Sequence, residues 1–313
     1  MSKVTVIGAG NVGATCANVL AHEDICNEIV LIDIQEGAAK GKALDTWQQA
    51  PIDGYSTRVV GGGNDAYPLT AGSDIVIITA GIPRKPGMSR DDLISTNANI
   101  VISVTREVLK HSTDPIIIVV SNPLDVMTYA CWKASGLSDR RVLGMAGVLD
   151  TARYRAFLAE EIGCSPKDIS AMLMGGHGDT MVPLPRYTTV SGIPVTELVA
   201  SDRLHAIIER TKFGGGELVN LMGTSAWYAP GAAAAQMAVS ILKNENRIYP
   251  CCVRLTGQYG IDNLFVGAPV KLGRRGVEQI IELQLTADEK ALLHQSAAAV
   301  REVVHALDNM NIL

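Results

Sequence analysis

A short apolar strand, Val4-Thr-Val-Ile7, runs straight into GAGNVG, Gly8 to Gly13, and then into the helical run ATCANVLA. No other stretch constrains the fold as much. Each glycine of this GxGxxG has its own physical reason. Gly8 permits a tight turn, Gly10 lets backbone N–H groups approach a pyrophosphate, and Gly13 lets the helix pack closely on the strand. Ala9, Asn11 and Val12 fill the turn between them. A second strand, residues 28–33, ends in Asp33, about 20 residues beyond the last glycine. A carboxylate there accepts both ribose hydroxyls of a dinucleotide and repels a 2′-phosphate. No arginine follows it directly, so NAD rather than NADP is expected.

The rhythm that follows specifies the rest of the sheet. Residues 37–49 read as a helix, 57–60 and 74–79 as strands, 92–109 as a long helix, and 115–120 as a buried strand ending in Ser121-Asn122-Pro123. Continuous apolar strands alternating with helices indicate a parallel, doubly wound sheet. Such sheets bind ligands at the carboxyl ends of their strands. Gly8, Asp33, Ala80-Gly81 and Asn122 all fall at such ends. The pattern finishes near Val142-Leu143. The chain therefore reads as α/β: a Rossmann domain over residues 1–145, followed by a mixed α+β substrate domain over 146–313.

In the second half, residues 144–163 read as a glycine turn and an amphipathic helix, and 169–174 as a strand. Residues 187–195 read as a hairpin around Ser191-Gly192. Residues 202–213 read as a helix stopped by Gly214-Gly-Gly216. A small-residue helix over 221–244 is expected to kink at Pro230. Residues 247–255 and 260–272 read as antiparallel strands, and 286–307 as an amphipathic closing helix.

Composition excludes several function classes. A net charge of −5 leaves no electrostatic footprint for nucleic acid. The six cysteines form no CxxC pair, so neither zinc nor a disulfide framework is expected, and scattered thiols fit a reducing cytoplasm. The apolar start at residues 4–7 is too short for a signal sequence. No apolar run approaches transmembrane length, so no membrane partner is expected.

The chemistry centres on LMGGHGDTMVPLP, residues 173–185, which sets His177 among three glycines. A histidine suits proton exchange near neutral pH. Asp150 and Arg153 are three apart and share a helical face. The loop AGIPRKPGMSRDD, residues 80–92, carries Arg84, Lys85 and Arg90 at the ligand edge of the sheet and is long enough to close as a lid. Nicotinamide carries a hydride, and the protein must supply the proton. His177 can do so, with a carboxylate such as Asp150 fixing its tautomer and stabilising the imidazolium. Arginine forks match carboxylates, so the substrate is a carboxylic acid. The excess of positive charge suits a dicarboxylate, because a monocarboxylate would leave one arginine unpaired.

GAGNVG, AGIPRKPGMSR, SNPLD, GVLDTARYRAF and MGGHGDTMVPL together resemble the lactate/malate dehydrogenase family, and within it the malate dehydrogenases of the lactate-dehydrogenase-like bacterial subgroup. The resemblance covers essentially the whole chain. It implies hydride transfer between malate and oxaloacetate with NAD, in the tricarboxylic acid cycle. His177 matches the family's proton donor and acceptor, and Asp150 its carboxylate partner. Arg153 matches the arginine that clamps the carboxylate beside the reacting carbon, and Arg90 the loop arginine that polarises the carbonyl. Arg84 matches the arginine that reads the second carboxylate, where lactate dehydrogenases usually have glutamine. Asn122 matches a contact to both substrate and nicotinamide. Asn97 and Val120, with Ser121 beside it, match cofactor contacts. Ala226 replaces a threonine on the pocket wall of lactate dehydrogenases. The resemblance favours a homotetramer or homodimer. Two other readings remain open: a lactate or other 2-hydroxy acid dehydrogenase, and a non-catalytic NAD-binding regulatory protein.

Overall fold

The apolar strands of the first half have a structural cause, which is cover by helices on both faces. The computed structural model describes residues 2–83 and 89–313. It runs β1 (Lys3–Ile7), α1 (Asn11–Glu23), β2 (Glu28–Ile32), α2 (Glu36–Asp53), β3 (Arg58–Gly62), β4 (Ile75–Ile78), α3 (Arg90–Leu109), β5 (Ile116–Val119), α4 (Leu124–Ser135) and β6 (Val142–Gly144). These strands lie parallel in the order β3-β2-β1-β4-β5-β6, the doubly wound order of dinucleotide-binding sheets. Every residue of β4 and β5 is buried. Each such side chain contributes about 1.5–3 kcal/mol by leaving water.

Register then places the site. Ile7 stands opposite both Ile32 and Ile78, and Ile78 opposite Val119. The residues that follow, Gly8, Asp33, Thr79 and Val120, emerge side by side along one edge of the sheet.

The second half continues with α5 (Gly147–Ile162) and the short strands β7 (Ile169–Ser170), β8 (Leu173–Met174), β9 (Val182–Pro183), β10 (Thr189–Val190) and β11 (Ile193–Pro194). It then runs α6 (Val195–Leu198), α7 (Ser201–Met222), α8 (Tyr228–Leu242), β12 (Arg247–Thr256), β13 (Asp262–Gly273), β14 (Gly276–Ile280) and α9 (Ala287–Asn309). The expected hairpin is present: β10 pairs with β11, and Ser191 and Gly192 both have positive φ, as a two-residue turn requires. Thr286 caps α9 in a capping box with Glu289.

Four expectations need correction. The sheet does not finish at residues 142–143. Cys252 of β12 pairs antiparallel with Gly144, and β13 and β14 extend the sheet to nine strands. Gly144 permits the approach, since a Cβ there would stand 3.0 Å from that of Cys252. The expected strand at 169–174 is two separate strands, β7 pairing with β10 and β8 with β9. Gly214-Gly-Gly216 does not stop a helix. α7 continues to Met222 and ends at Gly223, whose φ of +70° gives the left-handed cap. Packing overrides propensity here, because Leu204, Ile207, Thr211 and Gly214 form one buried face of α7. Pro230 makes no kink. It sits in the first turn of α8, where its missing N–H costs nothing, and the chain breaks at 223–227 instead.

Candidate active site

The glycine turn leaves no room for side chains at two of its three glycines. Gly8 has φ +105°, and a Cβ there would stand 2.6 Å from Thr79 Oγ1. A Cβ on Gly13 would stand 1.8 Å from the Gly8 carbonyl oxygen. Gly10 differs, because nothing lies within 4 Å of its Cβ position. It is also the N-cap of α1 and supplies no side-chain cap. The helix start therefore keeps its N–H groups for an anion. Asn11 and Val12 open α1 from this turn. Asp33 Oδ2 accepts the Ala9 N–H at 2.6 Å and Oδ1 the Gln35 N–H at 2.8 Å. Each oxygen keeps a further lone pair for a hydroxyl donor. A cleft of about 770 Å³ extends from Gly10 and Asp33 past Ile34 to Ile100 on α3. An uncapped helix start, a carboxylate and apolar walls in one cleft fit NAD.

The other expected cofactor residues support this edge from beneath. Val120 donates its N–H to the Ile78 carbonyl at 2.8 Å, and Ser121 Oγ donates to the Ala80 carbonyl at 2.6 Å. Asn97 is 2% exposed. Its amide donates to the carbonyls of Ile82 and Asn122 and accepts the Ile82 N–H. It clamps two strand-end segments together. Asn122 itself is exposed and precedes a cis peptide bond to Pro123.

His177 stands in the loop between β8 and β9. A Cβ on Gly175 would lie 2.7 Å from Ser296 Oγ, and one on Gly176 would lie 2.6 Å from a Val300 methyl, so only glycines let the loop pass under α9. His177 Nδ1 is 2.9 Å from Asp150 Oδ2. With Nδ1 held there, Nε2 is the nitrogen left to exchange a proton. The Asp150 side chain is 3% exposed and that of His177 18%. Burial disfavours the charged ring, and Arg153 adds to that. Attraction to Asp150, its hydrogen bond and a contribution from Asp125 outweigh both, so the His177 pKa is raised above the ordinary histidine value.

Arg153 follows Asp150 by one turn of α5, with Nη1 3.5 Å from Asp150 Oδ1. Its Nε is buried with no partner among the described residues. Gly214 and Gly215 of α7 leave space for its side chain. A buried guanidinium with an unused donor is a seat for a carboxylate. Arg90 begins α3, capped by Ser89, and shares a small cleft of about 130 Å³ with His177, Asp125 and Thr180. Arg84 and Lys85 lie outside the described residues. Ala226 is half-buried in the break between α7 and α8.

Two residues at the site escape the sequence reading. Asp125, in the first turn of α4, accepts the His177 backbone N–H at 2.9 Å. Ser296 of α9 accepts the Gly176 N–H at 2.8 Å. Asp125 stands in the quoted motif SNPLD, which is a signal. Ser296 has none, since it is one small residue in an amphipathic helix.

Residues 2–144 match the family model described as lactate/malate dehydrogenase, NAD binding domain, and residues 147–309 match its alpha/beta C-terminal domain. The malate dehydrogenase of Cytophaga hutchinsonii is 66% identical over 308 residues, 98% of each chain. The structure of malate dehydrogenase from Salinibacter ruber superposes with a TM-score of 0.95 at 56% identity, covering 99% of this chain and 98% of that one. A lactate dehydrogenase from Cryptosporidium parvum, complexed with lactic acid and nicotinamide adenine dinucleotide, superposes with a TM-score of 0.94 at 38% identity, covering 98% of each chain. An NAD-binding sheet feeding a histidine–aspartate pair defines an NAD-dependent oxidoreductase. More particularly, the chain belongs to the lactate/malate dehydrogenase family.

Proposed function

We propose that the chain interconverts (S)-malate and oxaloacetate with NAD, as a step of the tricarboxylic acid cycle. The observation that carries this reading is the largely buried His177–Asp150 pair at 2.9 Å beside a guanidinium whose Nε has no partner among the described residues. NAD, when bound, takes up or returns the hydride. In oxidation, His177 Nε2 takes the hydroxyl proton of malate, and Asp150 stabilises the imidazolium that forms. In reduction, His177 returns that proton to the carbonyl oxygen. Arg153 holds the carboxylate beside the reacting carbon, Arg90 polarises the carbonyl, and Arg84 reads the far carboxylate. Asn122 contacts substrate and nicotinamide. The glycine turn of Gly8, Ala9, Gly10, Asn11, Val12 and Gly13 holds the cofactor with Asp33, on a surface supported by Asn97, Val120 and Ser121. Residues 1–145 serve the cofactor and 146–313 the substrate.

Identity of 66% to a malate dehydrogenase, against 38% to the lactate dehydrogenase, supports the dicarboxylate. Six free cysteines support a reducing cytoplasm. Exposed Leu44 and Ile52 on α2 and Leu221 on α7 support assembly as a homotetramer or homodimer. The test follows NADH absorbance with oxaloacetate and then with pyruvate. Rapid oxidation with oxaloacetate alone is expected. Faster turnover of pyruvate would make the chain a lactate dehydrogenase, and turnover of neither would make it a regulatory protein.

A further inference from the structure

We propose that Asp125 is a positioning residue that sets the proton affinity of the His177 ring, an inference that rests on His177 being the proton carrier of the reaction above. Two consecutive peptide N–H groups of the loop are tied by side chains from different helices. Gly176 donates to Ser296 Oγ at 2.8 Å, and His177 donates to Asp125 Oδ2 at 2.9 Å. Ser296 in turn donates to Thr180 Oγ1 at 3.1 Å. A neutral hydroxyl is enough for such a tie, as Ser296 demonstrates. A carboxylate at the second tie adds what anchoring does not need, a second negative charge beside the imidazole.

That charge is poorly screened. Asp125 is 7% exposed, with the His177 N–H and the Cys252 thiol as its hydrogen-bond partners. Among the described residues, the charged groups facing His177 come from four elements. α5 brings Asp150 and Arg153, α4 brings Asp125, the first turn of α3 brings Arg90, and the loop itself brings Asp179. α9 contributes Ser296 and, at the cleft, only apolar Ala299, Val300 and Val303. From β12, the thiol of Cys252 meets the far side of Asp125. Burial pushes the Asp125 carboxyl up, while the neighbouring His177 opposes that rise. The net shift of the Asp125 carboxyl is upward; its negative charge in turn raises the His177 pKa, the direction that reduction needs.

Asp125→Asn keeps an oxygen for the His177 N–H and removes only the charge. The His177 Cε1 resonance, identified by its loss in His177→Asn, is titrated in the full chain by 13C NMR. The expected result is a His177 pKa lower by about half a unit or more in Asp125→Asn. The limb where oxaloacetate reduction fails should move to lower pH with it. Above that limb kcat should fall several-fold, with KM changed less than about twofold. Ser296→Ala, which loses an uncharged tie, should leave the ring titration within about 0.2 units. An unmoved His177 titration in Asp125→Asn would overturn the proposal. Should that variant fail to fold, the Asp125 Cγ resonance of the wild type decides: an ionised carboxylate throughout the His177 titration is expected, and a protonated one sinks the idea. The NMR readout needs no substrate, so it remains decisive even if wild type reduces no 2-oxo acid and the proposed reaction fails.

Discussion

The cofactor turn and the proton site solve different problems with different parts of the chain. The turn is made from one βαβ unit, largely from backbone, and its tolerances are steric: a Cβ on Gly13 meets a carbonyl oxygen at 1.8 Å. The proton site is assembled from side chains on α4, α5, α9 and a short loop, with partners as far apart as Gly176 and Ser296. Its tolerances are electrostatic. Damage to the first should appear in cofactor affinity or folding. Damage to the second should appear in turnover and its pH dependence while NADH still binds.

The largest effect should separate the two regions cleanly. His177→Asn removes the proposed proton carrier and leaves the glycine turn untouched. Its kcat should fall by a factor on the order of 10³–10⁴, with NADH affinity, read by fluorescence, within about threefold of wild type. Retention of more than about a tenth of wild-type turnover would remove His177 from its role.

Arg84→Gln tests the substrate end. On the proposed reading, the change removes a charge-assisted contact to the far carboxylate of oxaloacetate, where pyruvate has only a methyl group. The oxaloacetate-to-pyruvate ratio of kcat/KM should fall by about 10²–10³. Most of the change should be lost oxaloacetate activity. A ratio within about threefold of wild type would pass the specificity role to Lys85 or another residue.

The same contrast explains what the sequence could reveal. The order of β1 to β6 follows from apolar runs alternating with helices, and Gly8 and Asp33 follow from local spacing. His177 was visible through its glycines and Asp150 with Arg153 through their helical spacing. Ser296 has no such signal and Asp125 only its place in SNPLD, because the role of both depends on which helices pack over the loop. Gly214-Gly-Gly216 misled for a related reason. Helix propensity is local, whereas the buried face that carries α7 through these glycines is set by tertiary packing. The extension of the sheet by β12 to β14 likewise rests on a single long-range pairing, Cys252 with Gly144.

The pH response should be smaller and confined to the proton site. The folded His177 pKa lies above its unfolded value, near the ordinary 6.5. The stability this contributes is full below the unfolded value and is lost as pH rises through the folded one. Oxaloacetate reduction should fade over the upper part of that window, while malate oxidation strengthens. Thermal melts of wild type should lose stability across it, and those of His177→Asn should lose less. Equal slopes for the two proteins would detach His177 from the linkage.

The smallest effects come from two open glycines, one in each region. Among the described residues, no atom beyond the local backbone lies within 4 Å of the Cβ position of Gly10 or Gly216, and neither has positive φ. A methyl group therefore fits at both without strain. Gly216 lies exposed inside α7, where alanine is the better helix former. Gly216→Ala should gain about 0.5–1 kcal/mol by cutting the freedom of the unfolded chain, with kcat unchanged. Gly10 is open where the proposed reading seats the pyrophosphate. Gly10→Ala should melt within a degree or two of wild type yet bind NADH about 10-fold more weakly, since the methyl stands where the ligand meets the backbone. Calorimetry and NADH titration on both variants read the contrast directly. If Gly10→Ala bound NADH like wild type, the start of α1 would not be the pyrophosphate seat, and the cofactor would have to enter the cleft through Asp33 and the α3 wall alone.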